Sequence, residues 1–87
     1  MKLNLAFSKA GHDKNRIYAV VGDDKETVFL SDGRYRKISN PKKKNIKHIQ
    51  IIKKLPKEVE DLLADVEKLD DFSLRKIIRL YETLKEI

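Results

Sequence analysis

The sequence predicts a mainly β protein with a helical C-terminal part: a small antiparallel barrel over residues 1–54, then an antiparallel helical hairpin over residues 55–87. Three observations carry that expectation. Apolar residues alternate with a period of two through the first half, and their spacing changes to threes and fours after Pro56. The chain also has no cysteine, so neither part can lean on a disulfide framework. A chain of this length buries only ~60–65% of the surface its unfolded form exposes, so the core must be compact.

The first strand is expected in "LNLAF", where Leu3, Leu5 and Phe7 alternate with Asn4 and Ala6. "RIYAVVG" follows, setting Ile17, Ala19 and Val21 against Tyr18 and Val20. "GDDKE" supplies turn residues, and "TVFLS" reads as the third strand. Asp32-Gly33 is a compact hairpin signal, because both residues tolerate positive φ, and it leads into "YRKIS" as a fourth strand. "NPKKKN" should break the pattern, since Pro41 lacks an amide donor and restricts Asn40. "IKHIQII" offers a closing strand or a short helical turn. Five short strands in about fifty residues, joined by tight turns, favour a small barrel.

Pro56 stands where the first helix should begin. Val59, Leu62, Leu63, Val66 and Leu69 form its apolar stripe, with Glu58, Glu60 and Asp61 placed to complement the helix dipole. Asp71 or Ser73 should cap the second helix, whose stripe runs Leu74, Ile77, Ile78, Tyr81, Leu84 and Ile87, with Leu80 off the main face. These faces either cover the open side of the barrel or pair with another chain, so the oligomeric state stays open.

Charge is unevenly distributed. Residues 1–57 carry a net +10 and residues 58–87 a net −4. That asymmetry points to a polyanion partner for the first half. Between Ser31 and His48 there are seven Lys and Arg side chains, and Asp32 is the sole carboxylate. Lys9, His12, Lys14 and Arg16 lie in the first loop. Arg34, Arg36, Lys37, Lys42, Lys43, Lys44 and Lys47 lie in the second basic segment. Lysine and arginine at this density neutralise phosphates and release counterions. Scattered charge would serve solubility equally well, so the segregation favours nucleic acid. Tyr35, between two arginines, can stack on a base or pack into the barrel rim.

Residues 5–22, "LAFSKAGHDKNRIYAVVG", resemble the KOW motif: a strand, a glycine-containing basic loop, and a second apolar strand ending in glycine. Gly11 takes the loop glycine position, Asp13-Lys14 follow, and Val20-Val21-Gly22 match the close. With "VFLSDGRYRKISNPKKKNIKHI", the chain over residues 3 to about 52 is similar to bacterial KOW-domain RNA-binding proteins, which are related to large-subunit ribosomal proteins. The resemblance implies an SH3-like barrel and structured RNA, ribosomal RNA above all, as ligand. It also implies a loop tip shaped by Gly11 and His12, where the missing Cβ lets the backbone approach closely. Asn15 replaces a glycine that many members carry, and His12 replaces a frequent Lys or Arg. The helical pair lies outside the matched region.

Other chemistries fit less well. Ser8, His12 and Asp13 share the residue types of a hydrolase triad, but crowding on one loop supplies no oriented base. His12 and His48 without cysteines make a poor metal site. No glycine-rich phosphate loop exists, and no run approaches the ~20 apolar residues of a membrane span. The segment between Lys2 and Lys9 is too short for a signal-peptide core. The expectation is a cytoplasmic, cofactor-free, non-catalytic RNA-binding protein of the ribosome or translation, without a membrane partner. The rival reading is an adaptor that binds a ribosomal or other protein of the transcription or translation machinery through the barrel or the helices. NusG-type factors also carry KOW domains.

Overall fold

The computed structural model describes residues 3–65 and 69–85. Five strands come first: β1 (Asn4–Ser8), β2 (Ile17–Asp24), β3 (Thr27–Ser31), β4 (Lys42–Asn45) and β5 (Ile49–Ile51). Two helices follow, α1 (Lys57–Ala64) and α2 (Asp71–Leu84). The strands form one antiparallel sheet in the order β4-β3-β2-β1-β5. No described helix is long and apolar enough to cross a membrane.

The period of two in β1 and β2 serves both faces of the sheet. Leu5, Ile17 and Ala19 point to one side, where they pack with Leu3 and with Val59, Leu63, Leu74, Ile77 and Ile78 of the helices. Ala6 and Tyr18 point to the other, joining Val28, Leu30 and Ile49. This second cluster contains sheet residues alone, so the sheet must curl to bury it. Chain connectivity requires the same curl. The edge strands β4 and β5 are joined only by a 3₁₀ turn at Ile46–His48. A flat five-stranded sheet would hold its edges about 19 Å apart, and the chain steps from Asn45 to Ile49 reach only about 14 Å.

Three expectations for the first half need correction. The fourth strand is not "YRKIS" but Lys42–Asn45, the segment expected to break the pattern. Pro41 stands immediately before this edge strand, where its missing amide costs no ladder bond. Residues 32–41 form a loop, not a hairpin strand. The β2–β3 turn is Lys25-Glu26, between the paired residues Asp24 and Thr27, with Lys25 at φ 53. Gly22 instead lies within β2, at a register shift that follows Val20. The tail of the first half holds both expected forms, the 3₁₀ turn and then β5.

In the second half, Pro56 precedes α1 instead of opening it. Val59 and Leu63 are buried, whereas Leu62, assigned to the same stripe, is 48% exposed. Val66 and Ile87 lie outside the described residues. Asp70, not Asp71 or Ser73, caps α2, accepting from the Ser73 amide at 2.7 Å. Leu80, expected off the main face, packs against the core with Tyr81 and Leu84. Both helices therefore lie on the outer face of the sheet and share its core.

Candidate nucleic-acid interface

The first basic loop, residues 9–16, is folded around a buried carboxylate. Asp13 is only 8% exposed. Its Oδ1 accepts from Lys44 Nζ at 2.6 Å, and Ser8 Oγ lies 2.9 Å from it. Its Oδ2 accepts from Lys42 Nζ at 2.8 Å and from the Tyr18 hydroxyl at 3.0 Å. Lys44 Nζ also reaches Ser8 Oγ at 2.6 Å and the Ala10 carbonyl at 2.8 Å, so its three protons are all used. The register explains why these lysines turn inward. Lys42 sits opposite Leu30 and Lys44 opposite Val28, so both share the face that buries those residues. Lys43 takes the other face, over the Phe29 ring at 6.0 Å.

Burial alone would raise the Asp13 carboxyl pKa. The hydrogen bonds from Lys42, Lys44, Ser8 and Tyr18 outweigh it and hold the group well below the usual carboxylate range. Burial, followed by the bond to Asp13 and its charge, pushes the Tyr18 hydroxyl up to about 12. Two cations thus share one anion. Gly11 at φ 90 and Asn15 at φ 72 turn the loop around this cluster. Asn15 adopts the left-handed conformation expected of a glycine position. His12 is exposed and takes no part in the cluster.

The second loop is held by its own polar residues. Asp32 Oδ1 accepts from the amides of Arg34 and Arg36, both at 2.9 Å. The Ser31 hydroxyl donates to the Arg36 carbonyl at 2.6 Å. The one acidic group in the basic run is therefore the staple of its loop. Gly33, at φ +74, lies so close to α2 that a Cβ there would overlap the Asp71 carbonyl oxygen. The Ile38 amide donates to Asp71 Oδ1 at 2.8 Å. These contacts fix the loop against the start of α2.

Tyr35 stands at the tip, 66% exposed. The guanidinium of Arg34 lies 5.1 Å from its ring centroid, and that of Arg16, from the first loop, lies 5.3 Å away. The two basic segments meet here, and a second time at Asp13. Arg36 and Lys37 are exposed on the second loop; Lys9, Lys14 and Lys47 are exposed outside both meeting points. The Lys9 amide binds the His48 carbonyl at 2.8 Å, which sets the first loop beside the 3₁₀ turn.

A groove of about 800 Å³ runs between Tyr35 and α2. Its far wall contains Phe72, Arg75, Lys76 and Arg79, which are not among the binding residues expected from the sequence. A signal was present, since these residues recur at spacings of three and one along one stripe of a helix. The net negative charge of the C-terminal part hid it. Phe72 is 56% exposed, with Lys76 Nζ 4.5 Å and the Arg75 guanidinium 5.5 Å from its ring centroid.

No protein-family model matches the chain, and no curated protein matches it either.

Proposed function

We propose that the protein is a non-catalytic RNA-binding protein of the ribosome or translation, built on an SH3-like KOW barrel with a helical hairpin laid on its outer face. One observation carries the proposal: Arg16 and Arg34, from two separate basic connections, converge on the exposed ring of Tyr35. Convergence makes one electropositive surface out of two segments, which a folded polyanion can span. The curled sheet, the three-residue link between its edges and the positive φ of Gly11 and Asn15 all suit the KOW reading. Lys42 and Lys44 belong to the fold on this reading, because Asp13 already engages them. Phosphate contact falls to Lys9, Lys14, Arg16, Arg34, Arg36, Lys37, Lys43 and Lys47.

The test is a salt titration of binding to structured ribosomal RNA. Affinity should fall steeply with salt, and Arg16→Ala with Arg34→Ala should reduce the logarithmic slope by about two phosphate contacts. An RNA that goes unbound in dilute buffer would sink the proposal. A protein partner on the helices is the second reading, favoured by Leu62, which is 48% exposed beside a smaller cleft lined by Leu69 and Ile77. Binding to such a partner that is unaffected by salt would favour it.

A further inference from the structure

We infer that the groove between the second basic loop and α2 holds an unpaired stretch of RNA, with Tyr35 and Phe72 as its two base-stacking platforms. The inference rests on the RNA-binding reading and goes beyond it in naming the strand state and the helix that completes the site.

A single exposed apolar side chain is ordinary on a protein surface, whereas two exposed aromatic rings lining one groove form a shared apolar patch. Among the described residues, four large apolar side chains are exposed, and the two aromatic ones, Tyr35 and Phe72, line this same groove. Each ring carries two cations within 5.5 Å of its centroid. Arg79 adds a fifth positive charge to the lining, against the carboxylates of Asp32 and Glu82. Asp32 is turned to its own loop, where it holds two backbone amides. The groove therefore pairs flat apolar faces with a surplus of phosphate-binding groups, the combination by which proteins hold single strands.

Strand state follows from the rings. A duplex hides its base faces in the stack and offers only grooves and phosphates, whereas unpaired bases can be splayed onto aromatic and guanidinium planes. An acidic peptide would satisfy the cations, but its carboxylates offer no flat face to stack on either ring. The platforms are also fixed in advance. Gly33 abuts the Asp71 carbonyl and Ile38 is bonded to the Asp71 side chain, so the two walls cannot drift apart freely. Preorganisation of this kind lowers the entropy cost of binding.

Fluorescence anisotropy with an unpaired eight-nucleotide oligoadenylate, its abasic counterpart and a blunt RNA duplex tests the inference. The oligoadenylate should bind more tightly than the abasic strand. Tyr35→Ala and Phe72→Ala should each weaken oligoadenylate binding by about 5- to 150-fold, the range for stacking on one base. Neither should change the slope against salt. Tyr35→Phe and Phe72→Tyr should retain the affinity. Both rings are exposed, so thermal unfolding should stay near the parent value and exclude misfolding as the cause. Equal binding of the abasic and adenylate strands, or alanine variants that bind like the parent, would overturn the inference. If structured ribosomal RNA still binds in that case, the general RNA-binding proposal survives alone. If neither RNA binds in dilute buffer, both fail.

Discussion

Among the described residues Asp13 is the one charged side chain that is buried, and two lysines have turned inward to meet it. Removing one member of a buried ion pair leaves an uncompensated charge, which costs about 3–5 kcal/mol. Asp13→Asn should therefore destabilise the protein by roughly the lower end of that range, since Lys42 is partly exposed and can swing toward water. Proton linkage sharpens the test. The folded carboxyl pKa lies below its unfolded value, so the stabilisation is fully present above about pH 4. It is lost as pH falls further, toward the depressed folded value. Urea unfolding of the two proteins should differ most at neutral pH and converge under strong acid. A gap that stays constant down to pH 2 would show that the charge of Asp13 is not what matters. Tyr18 acts at the other extreme. Its pKa is raised to about 12, so the stability it confers is present below pH 10 and declines between 10 and 12.

At the scale of the element, β4 shows most clearly what the sequence could and could not tell. Three consecutive lysines read as an exposed ligand-binding run, yet strand geometry sends the first and third to one face and the second to the other. Lys44→Ala should then cost several times more stability than Lys43→Ala, which should stay within about 0.5 kcal/mol of the parent. Thermal unfolding of the two variants is sufficient, and equal shifts would contradict the register. The segment was unreadable as a strand because its stabilising partner, Asp13, is 31 residues from Lys44 in sequence. β1, β2 and β3 were legible because their apolar alternation is local. So was the second helix, whose buried Leu74, Ile77 and Ile78 keep helical spacing. Its cap is Asp70, where the sequence offers Asp71 or Ser73, because Asp70 and Asp71 are chemically equivalent in the sequence and Ser73 is also a favoured capping residue. Only the fold sends the Asp71 carboxylate to Ile38. The site was half legible. Arg16, Arg34 and Tyr35 stood out, while the basic stripe of α2 was averaged away in a segment with excess acid.

For the whole molecule, the question is whether the five-stranded sheet and the helices are separable units, as the change of period at Pro56 suggests. One continuous cluster joins Leu3, Leu5, Ile17 and Ala19 of the sheet to Val59, Leu63, Leu74, Ile77 and Ile78 of the helices. Five helical side chains, each contributing about 1.5–3 kcal/mol when buried, add on the order of 10 kcal/mol. That is comparable with the entire net stability of a small domain. A fragment ending at residue 54 should accordingly lose cooperative unfolding and expose the outer face of the sheet, with Leu5 and Ile17 bared. Near-ultraviolet circular dichroism and sedimentation would register this as lost tertiary signal and association. A fragment that remained monomeric and melted sharply would mean that the inner cluster of Ala6, Tyr18, Val28, Leu30 and Ile49 suffices by itself. The same fragment bears on binding, because it removes Phe72 and the α2 cations while keeping Arg16, Arg34 and Tyr35 in sequence. If the sheet cannot stand without its helices, then the acidic C-terminal part is not an appendage to a basic binding domain. It is the support that holds the outer face dry and the second wall of the groove in place.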